Sequence, residues 1–260
     1  MRAAPIEVLA DGLRTGPRPV AVLAGAGVSQ TAGIATGEDL LRLPAAERGE
    51  DPGADPVGWY IDAFGRFPSY FAILQGPDGD RLSLPRNLFE GTEPTPAHRA
   101  LATMAAQGLL GPFLTTNVDR LLEQALAQAG LTPRVAHDLA GMARDPDPAD
   151  PIVVKLHGDY LDLRIRHTPR GLHTYHPIID ALLDRVLRGF DLLVCGWSAS
   201  WDLPLGAALN RTAGQRRTYW LQCGEPTPRA RKLMAVRDAL VARVGGSDAG
   251  LQALADAVLD

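Results

Sequence analysis

VLAGAGVSQTAGI, from Val22 to Ile34, decides how the rest of the chain is read. It completes the apolar run Val20–Ala24 and passes at once into Gly25-Ala26-Gly27-Val28-Ser29. A glycine-rich turn between a strand and a helix lets backbone N–H groups come close to a phosphate, and the helix N-terminus adds favourable partial charge. Ser29 adds a hydroxyl donor. Taken alone, the turn fits a ligand-free strand-to-helix connection equally well. Two nucleotide fingerprints fail on it. The third glycine of G-x-G-x-x-G falls on Gln30, and no acidic residue ends a second strand ~20 residues on. No lysine follows the glycines, so the Walker pattern fails as well.

Working outward, five further runs share the character of Val20–Ala24. They are Gly111–Thr115, Thr132–Ala136, Ile152–Leu156, Asp191–Cys195 and Thr218–Gln222. Each is nearly continuous in apolar residues, as expected of strands covered on both faces. Helical patterns separate them. Val118, Leu121, Leu122, Ala125 and Leu126 recur at helical spacing, and Gly130 stops that helix. Pro177–Leu187 and Arg229–Val244 are expected to be helices too. Strands alternating with helices predict a doubly wound α/β fold with a mainly parallel sheet. The stretch from Thr36 to Pro96 is too long for a simple crossover and carries Trp59, Tyr60, Phe64, Phe67, Tyr70 and Phe71. It reads as a helical subdomain, at about 36–96, inserted into one domain spanning 1–260. Asp145–Pro151 reads as a polar, proline-rich loop.

The composition narrows the function classes. The chain has 260 residues, 46% hydrophobic and 22% charged, with a net charge of -4. That balance argues against nucleic acid as the main partner. Arg164, Arg166 and Arg170 form a local basic run that reads as a solvated face. Met1–Asp11 lacks a secretory signal pattern and no apolar run has spanning length, so the expectation is a cytoplasmic protein with no membrane partner. Cys195 and Cys223 are the only cysteines, expected as buried thiols; they cannot build a four-cysteine zinc site.

Open parallel sheets bind ligands at the carboxyl ends of their strands. Three more polar clusters fall there. Thr115-Thr116-Asn117-Val118-Asp119 follows one run, Lys155-Leu156-His157-Gly158-Asp159 ends another, and Cys195-Gly196-Trp197-Ser198 ends a third. Each has a plain alternative: a helix cap, a hydrogen-bonded histidine, an ordinary turn. Four such clusters on one sheet edge point to a site.

GAGVS, AGI, TTNVD, KLHGD and a Gly-x-Ser strand end, in this order, resemble the sirtuin-like superfamily, which is Rossmann-like in fold. The pattern is most similar to its zinc-less bacterial branch, the NAD+-hydrolysing domains of antiphage systems such as Thoeris. Pro96-Ala97-His98-Arg99-Ala100-Leu101 is similar to a further helix of that family, with His98 structural. The resemblance implies that Gly25, Ala26, Gly27 and Ser29 hold a pyrophosphate, with Thr116 beside the cofactor. It implies that Asn117 and Asp119 position the nicotinamide ribose and a water, and that His157 is the ribose-facing catalytic residue. It places Gly196 and Ser198 on the adenosine half, and Gln222–Glu225 beside the adenine.

The departures from sirtuins bear on the acceptor. Between Asp159 and Phe190 there is no cysteine, hence no zinc ribbon is expected, and no Val-x-Phe-Gly-Glu peptide loop. Ala35-Thr36-Gly37 replaces the Pro-Asp-Phe-Arg of sirtuins. His167, His173 and His176 lie in that interval without a cysteine or clear carboxylate companion, so no metal is read from them. Water is the expected acceptor, making the chain an NAD+ glycohydrolase with NAD+ as substrate. The alternatives are a protein deacylase or ADP-ribosyltransferase, and a non-catalytic NAD+ or ADP-ribose sensor. The resemblance also implies a sensor or activator, bound or fused, and a homo-oligomer is compatible with it.

Overall fold

In a computed structural model of the chain, Val20, Val22 and Ala24 enter one hydrophobic core while Ala21 and Leu23 enter another. A strand buried on both faces needs a layer of helices on each side. The structure describes residues 1–17, 19–53, 56–65, 89–146, 151–161, 174–200 and 202–260.

The first half of the chain runs β1 (Arg2–Ala3), α1 (Ile6–Thr15), β2 (Val20–Ala24), α2 (Gly37–Glu47), α3 (Pro56–Phe64), α4 (Pro96–Ala106), β3 (Leu110–Thr115), α5 (Leu121–Gln128) and β4 (Arg134–Ala136). The second half runs α6 (Leu139–Met142), β5 (Ile152–Lys155), α7 (Pro177–Gly189), β6 (Leu192–Cys195), α8 (Leu203–Arg211), β7 (Thr218–Cys223), α9 (Pro228–Val236), β8 (Leu240–Val244) and α10 (Ser247–Leu259).

The eight strands among the described residues are all parallel, in the order β1-β8-β7-β6-β2-β3-β5-β4. Helices α1, α4, α5 and α10 cover one face through residues such as Leu13, Leu101, Leu126 and Leu254. Helices α7, α8 and α9 cover the other through Leu183, Leu205 and Met234. Each such side chain contributes roughly 1.5–3 kcal/mol by leaving water. The expected doubly wound parallel sheet is therefore the observed one.

The register places the site. Ala24 pairs with Thr115 on one side and Cys195 on the other, and Thr115 pairs with Lys155. Four strand ends thus form one level row, and the polar clusters begin immediately beyond it. Strand order reverses between β2 and β6, which puts the ligand crevice of such a sheet above those two strands.

Some expectations need correction. Arg229–Val244 is not one helix: α9 ends at Val236, Asp238 takes a left-handed φ of 45°, and β8 follows. Leu240–Val244 pairs with β7, so sheet pairing overrides a spacing that looked helical. The turn after β2 does not open an α-helix either. It continues as two short 3-10 turns, Ala26–Val28 and Gln30–Ala32, closed by Gly33 at φ 82°. Gly130, at φ 83°, ends α5 as expected. The 36–96 stretch contains α2, started by a Thr36–Asp39 capping box, and α3, where Trp59, Tyr60 and Phe64 pack together. Phe67, Tyr70 and Phe71 lie outside the described residues, as do Arg164, Arg166, Arg170, His167 and His173. His176 caps α7, its Nδ1 accepting from the Ile178 amide at 3.3 Å.

Candidate functional site at the strand ends

Three glycines interlock where β2 and β6 end. The Gly27 amide donates to the Gly196 carbonyl at 2.9 Å, and the Gly25 amide to the Cys195 carbonyl at 3.0 Å. A Cβ on Gly25 would sit 2.5 Å from the Gly196 oxygen and 2.7 Å from Trp197 Cα. A Cβ on Gly196, whose φ is 62°, would sit 2.7 Å from the Val28 nitrogen. These glycines let one backbone touch another, and the Gly27 N–H is committed to that contact. Gly25→Ala is expected to cost about 1–3 kcal/mol through overpacking against backbone. Urea denaturation checks this; an unchanged midpoint would refute the tight seam.

Beside the seam, four polar side chains form one buried network. Ser29 is fully buried; its hydroxyl donates to Asp119 Oδ2 at 2.9 Å and accepts from Asn117 Nδ2 at 3.0 Å. Asn117 Nδ2 also donates to the Gly25 carbonyl at 3.2 Å. Thr115 sets the loop, its hydroxyl donating to the Ala24 carbonyl and accepting from the Asn117 amide, both at 3.0 Å. Asp119 Oδ1 accepts the Leu121 amide at 3.0 Å, so it satisfies the first amide of α5, although the N-cap position itself is Arg120. Asn117 is 9% exposed, and its buried Oδ1 has no hydrogen-bond partner among the described residues.

His98 enters this network from below. Its Nε2 lies 3.4 Å from Ser29 Oγ and its Nδ1 2.8 Å from Thr95 Oγ1, within the capping box that starts α4. Burial holds its pKa down at about 4 from an ordinary 6.5, against the opposing pull of Asp119. The folded ring therefore takes up its proton less readily than the unfolded one. Stability present above pH 6.5 is lost as the pH falls toward 4. His98→Gln is expected to flatten the pH dependence of unfolding free energy across that window by about one proton. A slope equal to that of the parent chain would refute the assignment.

Lys155 locks the neighbouring strand end. It is fully buried; its ammonium donates to the Asp119 carbonyl, lies 2.8 Å from Glu123 Oε1 and 3.4 Å from Asp159 Oδ2. Asp159 also accepts from Arg120 Nε at 2.8 Å. Burial raises the Glu123 pKa even with Lys155 beside it.

His157 follows the same strand. Its Nε2 lies 2.7 Å from Asp202 Oδ2, and the Tyr175 hydroxyl donates to that same oxygen. Asp202 Oδ1 accepts the Leu205 amide at 2.8 Å and so caps α8.

These groups meet in a cleft of about 490 Å3. Asn117, Asp119 and His157 line it together with Ala26, Gly27, Ser29, Thr116, Gly196 and Ser198. Of the expected binding residues, Gly25 alone is not in its wall; it stands behind, in the glycine seam. Gln222, Glu225 and the turn Gly245–Ser247 complete the far side, while Thr36, Asp39 and Phe89 bring in the ends of the 36–96 stretch.

Sequence reasoning missed Asp202, Tyr175, the locking role of Lys155, and Gly245–Ser247. Asp202 precedes Leu203-Pro204, a legible helix start, but nothing local pairs it with a histidine 45 positions away. Gly245-Gly246-Ser247 was legible as a glycine-rich turn once β8 is seen as a strand.

A doubly wound α/β sheet with its cleft over the point of reversal is the class of protein this is. Comparison with known proteins narrows it. Residues 112–238 match the family of SIR2-like domains. Over 149 residues the chain is 30% identical to the NAD(+) hydrolase ThsA of Enterococcus faecium, which covers 55% of this chain and 28% of that protein. Over 162 residues it is 32% identical to an NAD-dependent protein deacetylase of Haloarcula marismortui, covering 60% of this chain and 46% of that one. The match thus spans less than half the length of either relative. A solved SIR2 homologue in complex with NAD superposes with a TM-score of 0.55 at 17% identity, over 99% of this chain and 95% of that one. A Sir2 enzyme structure gives 0.56 at 18%, over 98% and 97%. The chain shares the fold of solved Sir2 structures along nearly its whole length, and residues 112–238 match the SIR2-like domain family in sequence.

Proposed function

We propose that the chain is an NAD+ glycohydrolase, cleaving NAD+ with water to nicotinamide, ADP-ribose and a proton. The observation that carries this reading is the buried, unpartnered Oδ1 of Asn117 in a cleft that also holds Asp119 and His157. A buried acceptor without a donor costs about 1–3 kcal/mol and is kept where a ligand or water completes it. A cleft of about 490 Å3 falls in the range of small-molecule and cofactor sites. Similarity to a named NAD(+) hydrolase supports the substrate.

In this reading the nicotinamide–ribose bond breaks through an oxocarbenium-like state, and the neutral pyridine leaves without needing a proton. Asn117 orients a ribose hydroxyl or the water. His157 takes the proton as the new C–O bond forms. Asp119, tied to Ser29, offsets the developing positive charge. Ala26, Gly27 and Ser29 border the pyrophosphate, Thr116 the nicotinamide side, and Gly196 and Ser198 the adenosine half. The 36–96 stretch is an inserted cover of a single sirtuin-like domain.

Similarity to a deacetylase favours a second reading, transfer of ADP-ribose to an acylated lysine. One assay separates the two. The purified chain, alone and with candidate activator proteins, is incubated with NAD+, with and without acylated peptide, and products are read by mass spectrometry. Nicotinamide and ADP-ribose without peptide support hydrolysis. O-acyl-ADP-ribose formed only with peptide overturns it. Tight NAD+ binding with no nicotinamide released under any of these conditions also overturns it, in favour of a sensing module. A defence role follows from the family resemblance, and equal phage plating on cells with intact or His157→Ala protein would refute it.

A further inference from the structure

We infer that Asp202 is a positioning residue for His157, holding the ring by Nε2 in the tautomer whose basic nitrogen is Nδ1, and that Tyr175 tunes the same carboxylate. The inference rests on the proposed hydrolysis only where it is read as a rate.

The geometry separates this role from plain helix capping. One oxygen is enough to cap α8, and Asp202 uses Oδ1 for that, accepting from Leu205. Its Oδ2 receives two further groups from separate parts of the chain. His157, after β5, lies at 2.7 Å, and Tyr175, just before α7, donates its hydroxyl. Capping requires neither. A carboxylate can only accept, so the imidazole nitrogen facing it carries the proton. Asp202 is 2% exposed, so this bond is shielded from competing water.

Tyr175 completes the arrangement. Burial first, then the neighbouring Asp202, pushes its hydroxyl well above the ordinary tyrosine range, so it stays a donor at working pH. That donor draws charge from Oδ2 and moderates the pull of Asp202 on the imidazolium. A base, a carboxylate that orients it, and a third group that orients the carboxylate form a general catalytic pattern. Asp119, Lys155 and Asp159 stand at the neighbouring strand ends, Cys195 ends β6, and Cys223 and Glu225 line the far side of the cleft; the variants below leave all of them untouched.

The test uses the full chain with isotope-labelled histidine. Nitrogen NMR reads the tautomer and titration midpoint of His157 without substrate; kcat and KM for nicotinamide release are measured alongside. Asp202→Ser keeps a helix cap and removes the carboxylate, and Asp202→Asn keeps the shape. Both are expected to populate the other tautomer of His157. Both should lower kcat by roughly 10- to 100-fold with KM within about twofold. Tyr175→Phe, which leaves the carboxylate facing Nε2, is expected to keep the parent tautomer. A His157 tautomer unchanged in both Asp202 variants would overturn the inference, whatever happens to thermal stability. Should the parent chain release no nicotinamide, the hydrolase reading fails while the NMR result still decides the role of Asp202.

Discussion

Alanine at His157 or at Asn117 is expected to slow nicotinamide release by at least about 100-fold in each case, the usual size of general-base and positioning effects. The two losses differ in origin. His157→Ala removes the proton acceptor and leaves the Asp202 carboxylate buried without one of its partners. NAD+ binding should survive it. Asn117→Ala removes two donated hydrogen bonds, to Gly25 and Ser29, as well as the Oδ1 acceptor in the cleft. It should therefore weaken NAD+ binding too, since the Ser29 network loses a member. Calorimetric binding beside turnover separates the two. Full activity in both purified variants would sink the catalytic assignment.

Lys155→Ala is expected to destabilise the fold by about 3–5 kcal/mol, the cost of stranding a buried partner of opposite charge. Glu123 and Asp159 flank the ammonium at 2.8 and 3.4 Å, and Asp159 is fully buried. Arg120 stays beside Asp159, but Glu123 is then left with no cation at that distance among the described residues. The Glu123 carboxyl, already pushed up by burial, is expected to rise further, so the loss should be largest at neutral pH and smaller in acid. Lys155 also holds the Asp119 carbonyl, so the loop carrying Asn117 should loosen with it. Chemical denaturation at several pH values measures this. A loss under about 1 kcal/mol, as for an exposed pair, would show that the cluster is not the lock it looks to be.

Most strands that were legible in the sequence are buried on both faces; β4, read as part of Thr132–Ala136, is a half-buried edge strand. β2, β3, β5, β6 and β7 read as apolar runs because each packs between helix layers. β8 lies farther toward the sheet edge, is only partly buried, and was absorbed into a helical spacing that includes α9. β1 has two residues, too few for any periodicity. The site divides the same way. Asn117, Asp119, His157 and Ser198 were legible because polar residues directly beyond an apolar run sit at a strand's carboxyl end. Asp202 and Tyr175 acquire their role only through contact across 27 and 45 positions of chain. The glycines were found for a partly different reason: phosphate approach was the expectation, whereas Gly25 and Gly27 face Gly196, a partner no local pattern points to.

That seam has a consequence for how such a cleft changes over evolutionary time. Gly25, Gly27 and Gly196 leave so little clearance that the two halves of the sheet share one fixed datum. Insertions there, or a hinge, would tear it. A lineage adapting this cleft to a different ligand has its freedom at the margins instead, beyond Gly33, at Gln222–Glu225 and at Gly245–Ser247. The least adjustable joint stands next to the groups that must be placed most accurately, and variation is pushed outward to where tolerances are wide.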